Sequence, residues 1–233
     1  MQRRRTGDIG RTLQQLLTRQ SNTETRGQTV QGVVELAVVT VPGAESASIT
    51  RIDRRGEFTS LAVTDESARR CDELQRDNGE GPCMDAIVSE PVVSLPDTRA
   101  EERWPRFAAA AAAIGVHSML ACRLVDPEGG TASLNLHAGP PHAFDDESML
   151  LAAVTAAHAS LALAAAGVNA ALREAMDRRQ IIGEACGVLM ERHGLTSDAA
   201  FGLLVRASQQ LNLKVRDIAE HVVATGAEPD TAG

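Results

Sequence analysis

The most reactive side chains in this chain are its four cysteines, and two of them, Cys71 and Cys83, flank the turn Asn78-Gly79-Glu80-Gly81-Pro82. Such a pair could form a redox switch if the fold brings the two sulfurs together, the alternative being packed, reduced thiols. No two cysteines have CxxC spacing and Cys122 sits in an apolar run, so neither a disulfide scaffold nor a structural zinc site is indicated. His117, His137, His142 and His158 are too dispersed to define a metal site. Pro82-Cys83 begins like the cysteine half of a zinc deaminase signature, but the second cysteine is missing and no HxE precedes it. A nucleophile elbow, a phosphate-binding glycine loop and a kinase signature are also missing. The expectation is a protein without catalysis and without a metal.

Charge is distributed unevenly over the 233 residues, whose net charge is −8. Residues 1–166 carry 16 basic against 22 acidic side chains, whereas residues 167–226 carry 7 of each. Any nucleic-acid contact must therefore come from local placement of cations, since a phosphate-binding domain normally shows a basic excess. Arg3, Arg4 and Arg5 are followed by no apolar run, so the signal-peptide pattern is absent and a cytoplasmic protein is expected. No stretch is expected to span a membrane, because Ala-rich segments are interrupted by His, Arg or Gly.

The elements that must position these residues fall into two groups. Val30, Val33, Val34, Ala37 and Val41 recur at helical spacing before Pro42-Gly43. Two strands, Ala47–Ile52 and Phe58–Val63, are joined by Asp53-Arg54-Arg55-Gly56, and Ser118–Val125 and Ala132–His137 are joined around Pro127-Glu128-Gly129-Gly130. Helices near Glu66–Arg76, Cys83–Val88 and Trp104–Ile114, and a brief strand at Pro91–Leu95, lie between the hairpins. This reads as an α+β domain with a central antiparallel sheet. A long helix follows Phe144-Asp145. Its residues Leu151, Val154, His158, Leu161, Ala165, Val168, Leu172 and Ala175 form an a/d seam, which serves either packing on the domain's own sheet or a coiled coil with a second copy. Two short helices complete a trio: Ala200, Phe201, Leu204, Val205, Ala207 and Leu211 form the buried stripe of one, and Val215, Ile218, Ala219, Val222 and Val223 that of the other. The expected divisions are an N-terminal tail or helix at 1–25, a sensor-sized domain at 26–166, a three-helix bundle at 167–226 and a disordered tail at 227–233.

The segments Arg179-Gln180-Ile181-Ile182-Gly183-Glu184-Ala185-Cys186-Gly187-Val188-Leu189-Met190, Ala199-Ala200-Phe201, Leu204-Val205-Arg206-Ala207-Ser208 and Val215-Arg216-Asp217-Ile218-Ala219 resemble the ANTAR domain over its whole length. One departure is Cys186, where many members have lysine. Upstream, Gly79-Glu80-Gly81-Pro82, Pro91–Asp97, Arg103-Trp104-Pro105, Gly115–Ser118, Ser133–Leu136 and Phe144 resemble a GAF domain in content and order, with Ala132 where a glycine is common. The first resemblance implies an RNA-binding transcription antiterminator that recognises stem-loop RNA as a homodimer. The second implies a sensor of a small ligand, haem or redox state, with no particular cofactor indicated.

Under that resemblance the candidates for RNA contact are Arg178, Arg179, Arg192, Arg206, Lys214 and Arg216, since arginine can both stack on a base and chelate a phosphate. Ala185 and Gly187 could let an RNA backbone approach the helix closely. Phe201 is expected in the core, which leaves recognition to arginine and shape. Other readings are a DNA-binding regulator of helix-turn-helix type, and a GAF-based redox sensor or protein-interaction module.

Overall fold

The computed structural model describes residues 26–88, 90–126 and 129–227. The expectations for 1–25, for Pro127 and Glu128 in the second hairpin turn, and for residues 228–233 lie outside them. The chain divides into one compact unit up to Val168 and a second from Asn169.

In the first unit, strands β1 (Ser46–Ile52), β2 (Phe58–Val63), β3 (Val92–Leu95), β4 (Ser118–Val125) and β5 (Thr131–Ala138) form one antiparallel sheet in the order β2-β1-β5-β4-β3. The β1–β2 hairpin closes where Asp53 accepts hydrogen bonds from the Arg55 and Glu57 amides and Gly56 takes a left-handed φ of 83°. Alternation along the strands separates two faces. Ala47 and Ile49 of β1, Leu120, Cys122 and Leu124 of β4, and Ala132, Leu134 and Leu136 of β5 point to one side. There they pack under α1 (Arg26–Thr40) and the first half of α5 (Asp146–His193). On the other side lie α2 (Glu66–Asn78), α3 (Pro82–Val88) and α4 (Pro105–Ala113). Their core with β3 and β4 contains Cys71, Cys83, Leu95, Trp104, Phe107 and Met119.

Local chemistry fixes these helices. Asp65 caps α2 by accepting from the Ala68 amide at 2.9 Å, and Gly79 ends it at φ 65°. Glu80, from the Gly-rich turn, accepts from the Arg106 and Phe107 amides at 2.7 and 3.0 Å, and so satisfies the start of α4. Asp145 does the same for α5 through the Ser148 amide at 2.9 Å.

α5 runs unbroken for 48 residues. Ala152, Ala156, Ala159 and Leu163 seat it on the sheet. The seam is a different face: Val154, Leu161, Ala165, Val168, Leu172 and Ala175 are exposed, and Leu151 and His158 half-buried. Packing on its own sheet therefore does not explain the heptad spacing. The expectation about membrane length needs correction, because α5 contains an 18-residue window long and apolar enough to cross a bilayer, 33% of it buried. Alanine dominates that helix and suits either setting, and isolated His and Gly residues do not interrupt it as strongly as expected.

In the second unit the rest of α5 packs with α6 (Ser197–Leu211) and α7 (Val215–Thr225) around Ala185, Cys186, Leu189, Ala200, Leu204, Ala207, Ile218, Ala219 and Val222. Gly194, Asn212 and Gly226 end the three helices in the left-handed region at φ 64°, 52° and 67°. Thr196 caps α6 through the Ala199 amide. Phe201 departs from expectation: it is 45% exposed. The ring, one position past fully buried Ala200, falls outside this core.

Candidate nucleic-acid face and sensor floor

On α5, Arg179, Gly183 and Gly187 succeed one another at intervals of four residues, which stacks them on one side of the helix. All three are exposed, and nothing lies within 4 Å of where a Cβ would stand at either glycine. A glycine inside a helix costs roughly 0.5–1 kcal/mol relative to alanine. With no neighbour demanding the space, this stripe is bare helix backbone open to a ligand. Gly187 was anticipated; Gly183 was not singled out, although its spacing from Gly187 was readable.

The other expected contacts divide by environment. Ala185 is fully buried, so its small side chain serves close packing of α5 in the trio and not approach by RNA. Cys186 also packs into that core, which places the departure from lysine on its inner side. A Cβ at Gly226 would stand 3.1 Å from Nη2 of Arg192, so this guanidinium rests against the C-terminus of α7, where a cation is favoured by the helix dipole. Arg178 pairs with Glu174 at 2.9 Å and Arg216 with Glu220 at 2.7 Å. Arg178, Lys214 and Arg216 line a hollow of about 590 Å³ together with Glu174, Asp217 and Glu220, so cations there are matched by as many acids. Arg179, Arg206 and Lys214 are exposed and make no ion pair among the described residues.

The first unit offers a second kind of site. The strand faces turned toward α2 carry Ser48 and Thr50 on β1 and Ser133 and Asn135 on β5, all fully buried. Over them lies Asp72 of α2, 1% exposed, which accepts from Ser48 Oγ at 2.7 Å and Ser60 Oγ at 2.8 Å, with Asn135 Nδ2 at 3.5 Å. Asn135 Nδ2 also reaches Thr50 Oγ1 at 3.1 Å, and its Oδ1 accepts from Ser133 Oγ at 2.8 Å. Burial pushes the Asp72 carboxyl up to about 7, although its hydrogen bonds oppose the rise. Burial also holds His137 of β5 down to about 4. Two buried nitrogens, Gln75 Nε2 and His137 Nε2, have no hydrogen-bond partner among the described residues. A polar floor with unpaired groups is what a site for a small hydrogen-bonding solute requires.

Cys71 and Cys83 do share the core beside this floor, as a redox pair would need. Both are free, fully buried thiols, and burial, with Asp72 nearby, raises both well above the ordinary thiol range. The thiolate that disulfide exchange requires is thus disfavoured. Cys71 Sγ instead meets Met119 Sδ at 3.6 Å.

These two arrangements coincide with known families. The GAF domain model matches residues 23–164 and the ANTAR domain model residues 170–223. No curated protein matches the chain. Among solved structures it is similar to the GAF domain of a phosphoenolpyruvate-protein phosphotransferase from Coxiella burnetii, at 18% identity and TM-score 0.51 over 70% of this chain and 96% of that one. It is also similar to the photosensory core module of the Stigmatella aurantiaca phytochrome, at 13% identity and TM-score 0.55, covering 90% of this chain and 45% of that one. A bacteriophytochrome from R. palustris gives 11% identity and TM-score 0.54 over 88% and 47% of the two chains. Likeness at such identities concerns the fold alone. GAF domains serve signal sensing and ANTAR domains RNA-binding antitermination, and both are regulatory modules. The chain belongs to the GAF domain family and carries an ANTAR domain over residues 170–223.

Proposed function

We propose that this protein is a signal-responsive regulator that binds stem-loop RNA as a homodimer and thereby prevents transcription termination. The observation that carries the reading is the exposed stripe of Arg179, Gly183 and Gly187 inside the ANTAR domain, where an unpaired cation heads two turns of bare backbone. Arginine can both stack on a base and chelate a phosphate, and a helix flank without side chains lets an RNA backbone come close. Dimerisation is supported by α5. Leu150, Val154, Leu161, Val168, Leu172 and Met176 are each 58–71% exposed along one helix, over roughly 40 Å at about 1.5 Å per residue. An apolar stripe of that length at heptad spacing finds its partner in a second copy of the same helix.

In this reading a small solute enters the polar floor around Asp72, and the change alters packing or pairing of α5, which repositions the RNA-binding faces. No catalysis is involved. The test is to measure hairpin-RNA affinity and molecular mass of the full chain, with Leu161→Glu and Leu172→Glu combined as the variant. Loss of the dimer with weakened RNA binding is expected. A monomeric wild type, or preference for duplex DNA over hairpin RNA, refutes the proposal and favours a different regulator.

A further inference from the structure

Phe201 is the only Phe, Trp or Tyr between Asn169 and Gly233, and it stands 45% exposed on α6. Its neighbour Gly202 has no side chain, and the space above it is taken by Arg206: a Cβ at Gly202 would lie 3.4 Å from Nη1 of Arg206. The guanidinium therefore folds back along the helix to the turn that bears the ring. Arg206 makes no ion pair among the described residues, and the only acid on α6, Asp198, lies eight positions away. The other exposed residues of this helix, Ser197, Asp198, Ala199, Gln209 and Gln210, are small or polar. The ring is thus not part of an apolar patch on α6 that would dock a protein surface.

A ring left 45% exposed, next in sequence to a glycine over which a guanidinium lies that makes no ion pair among the described residues, suits one kind of ligand. Every nucleobase presents a π-face that stacks on such a ring, and the planar cation takes a phosphate oxygen or stacks in turn. We propose that Phe201 and Arg206 hold one unpaired loop nucleotide of the RNA, the ring stacking on its base and the guanidinium contacting its phosphate. This rests on the RNA-binding reading above, and it adds a contact that arginine and backbone alone do not supply.

The experiment uses the full chain and hairpin RNAs selected for binding from a pool with randomised loops. Phe201→Leu and Arg206→Ala are each expected to weaken binding about tenfold, in line with the loss of one stacked base or one charged contact. Phe201→Trp should restore affinity. With 2-aminopurine placed at successive loop positions, binding by the wild type should quench one of them, and Phe201→Leu should abolish that quenching. Circular dichroism checks that the variants remain folded. If selected hairpins bind wild type and Phe201→Leu equally and no loop position is quenched, this inference is overturned while RNA binding stands. If Phe201→Leu instead changes the molecular mass, the ring is a protein contact and the inference is wrong. Should no hairpin bind the wild type, both readings fall together.

Discussion

Replacing Asp72 by Asn should make the sensor unit's stability respond to pH in a way the wild type conceals. The carboxyl is 1% exposed, no cation among the described residues faces it, and its neighbours are Ser48, Ser60 and Asn135, with Glu73 raising it slightly. It titrates near about 7 in the fold. In the unfolded chain an aspartate titrates near about 3.9. The folded state therefore keeps a proton that the unfolded state has lost. Stability from this group is fully present below the unfolded value and is lost as pH rises through the folded one, by about 4 kcal/mol at about 1.4 kcal/mol per pH unit. His137 works in the opposite sense. Its folded value of about 4 lies below the ordinary imidazole range, so its contribution is present at neutral pH and is lost on acidification. From an unfolded value of about 6.5, that loss amounts to about 3 kcal/mol. Between about pH 4 and 6.5 the two slopes nearly cancel in the wild type. Asp72→Asn removes one of them, leaving stability that rises with pH over this window. Trp104 is the sole tryptophan and is buried in the core beside Asp72, so urea unfolding followed by its fluorescence reports on this unit. The quantity to compare is the difference in unfolding free energy between variant and wild type. It should grow in the variant's favour by about 4 kcal/mol from pH 4 to pH 7.5. A difference that stays constant across that range would refute the assignment of a buried, uncompensated carboxyl.

Other perturbations separate stability from binding. Gly183→Ala with Gly187→Ala should raise helix stability by roughly 0.5–1 kcal/mol per site while lowering RNA affinity, seen by thermal melting and filter binding. Both effects having the same sign would mean that the bare backbone is not a contact face. Leu161→Glu with Leu172→Glu should convert the dimer to a monomer in light scattering and leave Trp104 fluorescence unchanged, since neither side chain belongs to the sheet core. Arg192→Ala should lower the melting temperature of the three-helix unit by removing a cation worth roughly 0.3–1 kcal/mol at the end of α7, with little effect on RNA affinity.

Helices and turns were legible where the signal is local. The stripe Val30, Val33, Val34 and Ala37 and the Asp53–Gly56 turn follow from neighbours a few residues apart. The strand order was not legible. β1 pairs with β5 through partners such as Ser48 and Asn135, and nothing in local periodicity specifies a partner at that separation. The polar floor was hidden for a related reason. Alternation of Ser48, Ile49 and Thr50 resembles a strand with one side in water, and only the helices over it turn that side into an interior. Phe201 was misplaced because bulk and apolarity favour burial, whereas α6 turns Ala200, Leu204 and Ala207 into the core of the trio. Ala185, an expected contact, lies buried in that same core.

Strands β1 and β5 of the GAF unit have hydrocarbon beneath them and hydroxyls and an amide above, and the two sides differ in what they tolerate. Aliphatic contacts have no substitute: parting them leaves a void. Hydroxyl and amide groups can trade one donor for another at small net cost, so an incoming molecule can be accommodated by swapping partners one at a time. On the proposed reading, a solute bound on the Asp72 side would be felt by the strands as exchanged hydrogen bonds, while the aliphatic layer that seats the first half of α5 stays closed.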